Sequence, residues 1–248
     1  MSTSYYETYW QRSDGWNPDE GVNHPIERKI FSQLLKPGMR LIDYGCGNGE
    51  RYGRDMLNRQ IDYRGFDISE TALANAAVLG LNVARIREDG SLPLDEASAD
   101  CAMCFEVLEH LNEPDQALAA IRYALKPGSH AVFSVPNAAH YVQRIEFLLT
   151  GFWNPGGSPH TARKSPWRDP HIRFFNPSML RRMLEASGFE VERIIGEPFT
   201  FQALPWFYKQ KKLLPFLTLL SKPFAWLGTR FPGLWSARLF AIVRKPQR

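Results

Sequence analysis

Leu41-Ile42-Asp43-Tyr44-Gly45-Cys46-Gly47-Asn48-Gly49 is the stretch whose reading decides the fold. Arg40 to Tyr44 reads as a short buried strand, and three glycines at alternate positions then open a turn into a polar helix, Glu50 to Asn58. Glycines there permit a positive φ and let a ligand approach the backbone. The helix that follows offers free N–H groups and a partial positive charge. The spacing is G-x-G-x-G, not the G-x-G-x-x-G of a pyrophosphate cradle. Asp43, just before the loop, is also wrong for a phosphate and suits a ligand carrying an ammonium group. Downstream, Ile61 to Phe66 reads as a second strand that ends in Asp67. A carboxylate at that strand end can accept both hydroxyls of a ribose.

The pattern continues on both sides. Upstream, His24 to Leu35 places Ile26, Ile30, Phe31, Leu34 and Leu35 at helical spacing, and Pro37-Gly38 stops the helix. Ser69 is a good N-cap for a helix with Ala72, Leu73, Ala76 and Ala77 on one face. Leu81 to Ile86, Ala99 to Phe105 and Ser129 to Val135 are the third, fourth and fifth strands. Pro114 to Leu125 is a helix ended by Pro127-Gly128. Strands alternating with helices argue βαβ units, a parallel sheet and helices on both of its faces. Asn176 caps a further helix with Pro177 at its first position, closed by Gly188. Phe189 to Ile195 and Ala237 to Arg244 are the sixth and seventh strands. Between them and the fifth strand, Asn137 to Arg173 is rich in Pro, Gly, His and Trp, and a long irregular segment inside a domain is usually functional.

In these residues the chain resembles the class I S-adenosylmethionine-dependent methyltransferases. LIDYGCGNG resembles the family's first motif and GFDIS its second; CFEVLEHL and LKPGSHAVFSVPN resemble its later ones. The resemblance covers about Tyr5 to Ile195. It implies a Rossmann-like, doubly wound α/β fold, with a seven-stranded, mostly parallel sheet whose last strand is antiparallel. It implies that Gly45, Cys46 and Gly47 line the methionine part by backbone; Asp43, Gly49 and Phe105 are further candidates for cofactor binding. Asp67 then holds the ribose and Ile68 packs on the adenine. Asp89 or Glu88, with Gly90, sits at the adenine edge. The expected organisation is an N-terminal arm over 1–23, a core over 24–197 with a lid insertion over 137–175, and a C-terminal extension over 198–248 that carries the last strand.

Methyl transfer from a sulfonium leaves the hard chemistry to the cofactor, so the protein positions the acceptor and removes its proton. Glu106, Glu109 and His110 fall at i, i+3 and i+4 after the fourth strand, where one helical turn would present all three on one face. Three roles are open to them: structural positioning, a base, or a divalent-metal site. The E-x-x-E-H pattern is shared with the ubiquinone-pathway O-methyltransferases and the small-RNA 2′-O-methyltransferases, where it binds metal, and the RNA enzymes add a later histidine that His171 resembles. Two carboxylates and two imidazoles suit Mg²⁺, Mn²⁺ or Zn²⁺. Cys101 and Cys104, three apart on a strand, point to opposite faces and cannot share a metal. His130, His140 and His160 have no partner at recognisable spacing, and His140 and His160 sit in the lid.

Composition sets the remaining bounds. The chain has 248 residues, 44% of them hydrophobic and 23% charged, which excludes global disorder. Three cysteines are too few for a disulfide framework, and the start carries no secretory signal, which suggests a cytoplasmic protein. The net charge of +4 hides an asymmetry. Residues 198–248 carry nine Lys or Arg, eleven aromatics and no Asp or Glu, so the body before them is net acidic. Six prolines interrupt that tail. Together with the acidic body, they argue against nucleic acid as a partner. Peripheral contact with an anionic membrane is a functional reading of the tail; closure of an apolar acceptor pocket and simple cover for the sheet edge are the others. The leading expectation is O-methylation of a small-molecule, lipid-linked or glycan acceptor. The alternatives are metal-assisted 2′-O-methylation of RNA and a non-catalytic, cofactor-binding regulator.

Overall fold

The computed structural model describes residues 3–11, 25–153, 169–198, 226–228 and 230–247. Its centre line is β1 (Arg40–Tyr44), which pairs in parallel with β2 (Asp62–Asp67) on one side and β4 (Ala99–Phe105) on the other. β3 (Asn82–Arg85) lies outside β2, and β5 (Leu125–Pro136) outside β4, both parallel. The last strand, β7 (Ser236–Arg244), inserts antiparallel between β5 and β6 (Glu190–Pro198). The order is β3-β2-β1-β4-β5-β7-β6, so the direction of winding reverses between β1 and β4. Ligands of such sheets bind outside the carboxyl ends of the strands at that reversal.

Period-two alternation divides β4 between two cores. Ala102 and Cys104 join the cluster under α5 (Pro114–Ala124) and α7 (Pro177–Ala186). Cys101, Met103 and Phe105 join the cluster under α2 (Pro25–Leu34) and α3 (Gly53–Asn58). The two cysteines therefore lie in different cores, each a free and buried thiol. The caps read from sequence are present. Ser69 Oγ accepts from Ala72 N at the start of α4 (Glu70–Val78), and Asn176 accepts from Met179 N at the start of α7.

Four features depart from the sequence reading. The expected arm contains a helix, α1 (Thr3–Gln11). The irregular insertion contains another, α6 (Tyr141–Thr150). The helix expected from Glu50 begins only at Gly53, after a turn. Lys126-Pro127-Gly128 does not lie outside the sheet: β5 already starts at Leu125, and Gly128 N donates to Lys245 O. Residues 12–24, 154–168 and 199–225, including His160 and most of the basic aromatic extension, lie outside the described residues.

Candidate active site

A cavity of about 380 Å³ opens at the reversal point, lined by the β1 end, the glycine loop, Asp67, Ile68, Phe105 and the segment around His110 and His171. Gly45 has φ of 83° and Gly47 of 56°. A Cβ on Gly45 would stand 2.3 Å from Val107 Cγ2, so the loop can run this close to the β4 exit only as glycine. Gly49 does different work. Its missing Cβ makes room for Leu81 Cδ1, which would lie at 2.2 Å; it packs α3 on the sheet and does not line the cavity.

Asp67 ties the groove together. One carboxylate oxygen accepts Gly47 N at 2.9 Å and the other Ser69 N at 3.0 Å. Burial raises its pKa, against the pull of those backbone donors. Asp43 lines the same cavity and accepts the Tyr63 hydroxyl at 2.6 Å. Burial pushes its carboxyl up to about 7. Burial also raises the Cys46 thiol well above its usual value, so this cysteine is a wall and not a nucleophile. Ile68 and Ile86 form the apolar side of the groove. After β3, Asp89 folds back to accept Ser91 N at 2.9 Å, and Gly90 O accepts the Tyr44 hydroxyl at 3.2 Å. Glu88, Asp89 and Gly90 are not among the residues that line the cavity, whereas Ile86 is.

His110 and His171 line the cavity, and Glu109 lies fully buried beside them. Leu108–His110 is a single 3₁₀ turn. The backbone carbonyl of Glu109 accepts Ile172 N and Arg173 N at 2.9 and 3.0 Å, which stitches the 169–175 segment onto that turn. His171 is thereby stacked on His110, ring centroids 4.6 Å apart. His110 Nδ1 lies 3.1 Å from the Pro170 carbonyl, which only accepts, so Nδ1 carries the proton and Nε2 a lone pair. His171 Nδ1 lies 2.8 Å from Asp169 Oδ1, which fixes the same tautomer. The two Nε2 atoms then face Glu109 Oε1 at 3.8 and 3.9 Å. Both Glu109 oxygens are buried and have no hydrogen-bond partner among the described residues. Burial, reinforced by nearby Glu106, drives the Glu109 carboxyl well above its usual range, and burial with neighbouring His171 lowers His110 to about 4. The ligand atoms of the three residues all lie within 4.8 Å of one another.

Glu106 does not join them, which corrects the single helical face expected for Glu106, Glu109 and His110. Its φ is 56°, and the 3₁₀ turn starts two residues later. Its carboxylate accepts the Ser134 hydroxyl at 2.8 Å instead. Behind it runs a buried ion network that sequence reasoning missed. Glu27, fully buried, accepts Arg238 Nη2 at 2.6 Å, Arg51 Nη2 at 3.1 Å and the Tyr52 hydroxyl at 3.0 Å. Missed as well were Asp169, which orients His171, and the aromatics of α1 on the cavity wall. Their signal was present in Tyr5, Tyr6, Tyr9 and Trp10, which recur at helical spacing. His130 pairs with Glu192 at 3.2 Å away from the site, and His140 precedes α6.

A model of the methyltransferase domain matches residues 20–194. The ubiquinone biosynthesis O-methyltransferase of Paraburkholderia phymatum is 29% identical over 203 residues, covering 77% of this chain and 83% of that protein. Among solved structures, a SAM-dependent methyltransferase from Archaeoglobus fulgidus superposes with a TM-score of 0.60 at 18% identity, over 99% of this chain and all of that one. A phosphoethanolamine N-methyltransferase of Haemonchus contortus, in complex with S-adenosyl-L-methionine, gives 0.60 at 16% identity; 99% of this chain matches 58% of that one. The likeness to these structures extends to the fold: a seven-stranded sheet reversing at a glycine loop. The chain belongs to the class I methyltransferase-domain family and is an enzyme whose cofactor is S-adenosylmethionine.

Proposed function

We propose that this methyltransferase acts on a hydroxyl oxygen of a small, lipid-linked or glycan acceptor held between the cofactor and the Glu109–His110–His171 cluster. The observation that carries the reading is the cluster itself: a buried carboxylate without a hydrogen-bond partner among the described residues, faced by two imidazole nitrogens whose rings line the cavity. The oxygen acceptor is supported by the O-methylation that names the Paraburkholderia relative. In the transfer the carbon–sulfur bond breaks as the new carbon–oxygen bond forms, leaving S-adenosylhomocysteine, and the hydroxyl proton must go to a base. His110 is neutral at ordinary pH and presents its Nε2 lone pair. In this reading Asp43 takes the cofactor's ammonium group and Asp67 its ribose.

Glu109, His110 and His171 also fit a divalent cation, Mg²⁺, Mn²⁺ or Zn²⁺, because a buried carboxylate without hydrogen bonds is costly unless something positive meets it. Such an ion would supply Lewis acidity that lowers the pKa of an acceptor hydroxyl. Glu106 stays outside this ligand set. A lipid-linked acceptor is supported by the exposed apolar side chains of α6, Leu148 and Leu149 above all, together with the acid-free basic tail. We read these as a peripheral membrane contact, not a crossing: among the described residues no helix is long and apolar enough to span a bilayer.

The test is incubation with methyl-labelled cofactor and separate lipid, polar-metabolite and RNA extracts, with and without a chelator. Label in a lipid or polar metabolite as a base-stable, ether-type product is expected, and a chelator should suppress it. Label confined to RNA would overturn the acceptor class, and chelator-resistant turnover would remove the metal.

A further inference from the structure

The N-terminal helix has no counterpart in the motif reading, yet four of its nine residues line the cavity. Trp10 packs closely against the glycine loop: a Cβ on Gly47 would stand 2.5 Å from Trp10 Cζ2 and 2.7 Å from Cη2. Tyr6 reaches the other half of the site, its ring edge-on to His110 with centroids 6.2 Å apart. Its ring lines the same cavity as Asp67 and His171. So α1 roofs both halves of the cavity.

What holds it there is Glu7. One carboxylate oxygen accepts Glu70 N at 2.7 Å and the other accepts Thr71 N at 3.1 Å. These are free amides of the first turn of α4, a helix whose third such amide, Ala72 N, is taken by Ser69 Oγ. The Thr71 hydroxyl and these amides lower the Glu7 pKa to about 2, so the grip is ionised at every working pH. A carboxylate at a helix N-terminus is favoured by the helix dipole as well. The contacts close a ring. Glu7 holds the first turn of α4; Ser69, beginning that turn, donates its amide to Asp67; Asp67 holds Gly47 N; Trp10 returns from Gly47 to α1. Gly47, Asp67 and Trp10 of that ring all line the cavity.

We propose that α1 is the cover of the cofactor groove and Glu7 its latch, so that S-adenosylhomocysteine leaves only when the Glu7 carboxylate releases the first turn of α4. Glu7 is a positioning residue: it acts through Trp10 and Tyr6. The same ring explains why the latch sits on α4, because that helix begins three residues after the ribose acid. The inference rests on the family's cofactor and not on the acceptor.

The experiment follows release of labelled S-adenosylhomocysteine from the full chain and from Glu7→Ala, Glu7→Gln and Trp10→Ala variants, with amide hydrogen exchange on the same samples. Glu7→Ala should speed release on the order of tenfold, because two charge-assisted bonds are lost. Glu7→Gln, which keeps one carbonyl acceptor, should fall between it and the parent, and Trp10→Ala should also release faster. Exchange should rise at α1 and at Glu70 and Thr71, while the sheet stays protected and thermal unfolding stays cooperative, which separates a lost latch from a damaged fold. Parent-like release in both Glu7→Ala and Trp10→Ala would overturn the cover. Binding by the parent tests the cofactor site separately from the spread of release rates among the variants.

Discussion

Asp43 shows how one residue reports on the ligand. It is buried at the end of β1, with the Tyr63 hydroxyl donating to it and Asp67 and Arg51 as its charged neighbours. Burial raises its pKa to about 7, so below that pH the empty site holds a proton there. A cofactor ammonium prefers the ionised form and must displace this proton. Affinity for S-adenosylhomocysteine should therefore fall as pH drops below about 7, by up to roughly tenfold per pH unit, and level off above it. Stability of the unliganded protein runs the other way. The folded pKa lies above the unfolded one, so the contribution is full below about 4 and is lost as pH rises through about 7. Calorimetry across this range should show the affinity slope in the parent and a flat, weaker profile in Asp43→Asn; equal slopes in both would remove Asp43 from the ammonium. This acid was legible in the sequence because it directly precedes the glycine loop. Glu106 was not: the i, i+3, i+4 rule presumes a continuous helix, and its positive φ breaks that premise one residue past the strand.

At the scale of elements, caps and strand ends are the parts that carry information. Ser69 caps α4 and donates its own amide to Asp67, so one residue serves both the helix and the site. Ser69→Ala should cost about 1 kcal/mol of stability, read by urea denaturation, because a buried helix amide loses its acceptor. It should also weaken S-adenosylhomocysteine binding by shifting the turn that carries Asp67. Asn176→Ala, a cap of the same kind on α7 with no tie to the groove, should cost similar stability and leave binding unchanged; matched binding losses in the two would mean that Ser69 acts only through the fold. The elements that the sequence displayed are those whose apolar spacing faces the sheet, such as α2 with Ile30 and Phe31 buried at 1% and 2%. The hidden ones face something else. The aromatics of α1 keep helical spacing but face a ligand cavity, and Ile145, Phe147, Leu148 and Leu149 of α6 are exposed, so the spacing there does not mark a core face. Pro127-Gly128 misled for another reason: a dipeptide that reads as a turn lies within β5, where the antiparallel chain end can still reach Gly128 N.

Over the whole molecule, the seven-stranded frame follows from alternation of strands and helices, but its last strand arrives from the acid-free extension. β7 brings Arg238 into the buried network behind the cavity, so one basic residue of the tail serves the interior and cannot serve a surface. The remaining bases divide between the described end, with Arg244 paired to Glu190, and Lys209, Lys211, Lys212 and Lys222, which lie outside the described residues. The outward apolar side chains sit on α6, where Leu148 and Leu149 are 81% and 77% exposed and Ile145 and Phe147 about half. In the proposed membrane contact, an acidic body with a basic, aromatic extension would orient on an anionic surface, and each basic residue near such a surface would contribute on the order of 1 kcal/mol. That attraction fades as salt shortens the Debye length to about 3 Å at 1 M, whereas burial of Leu148 and Leu149 in the interface does not depend on salt. Co-sedimentation should therefore show more protein on anionic than on neutral vesicles, with partial release at high salt. A variant with glutamine at the four lysines should lose the anionic preference, and one with serine at Leu148 and Leu149 should lose the salt-resistant fraction. Equal and negligible binding of all three proteins to both vesicle types would leave the extension as cover for the sheet edge, and would move the acceptor from lipid-linked compounds to soluble ones.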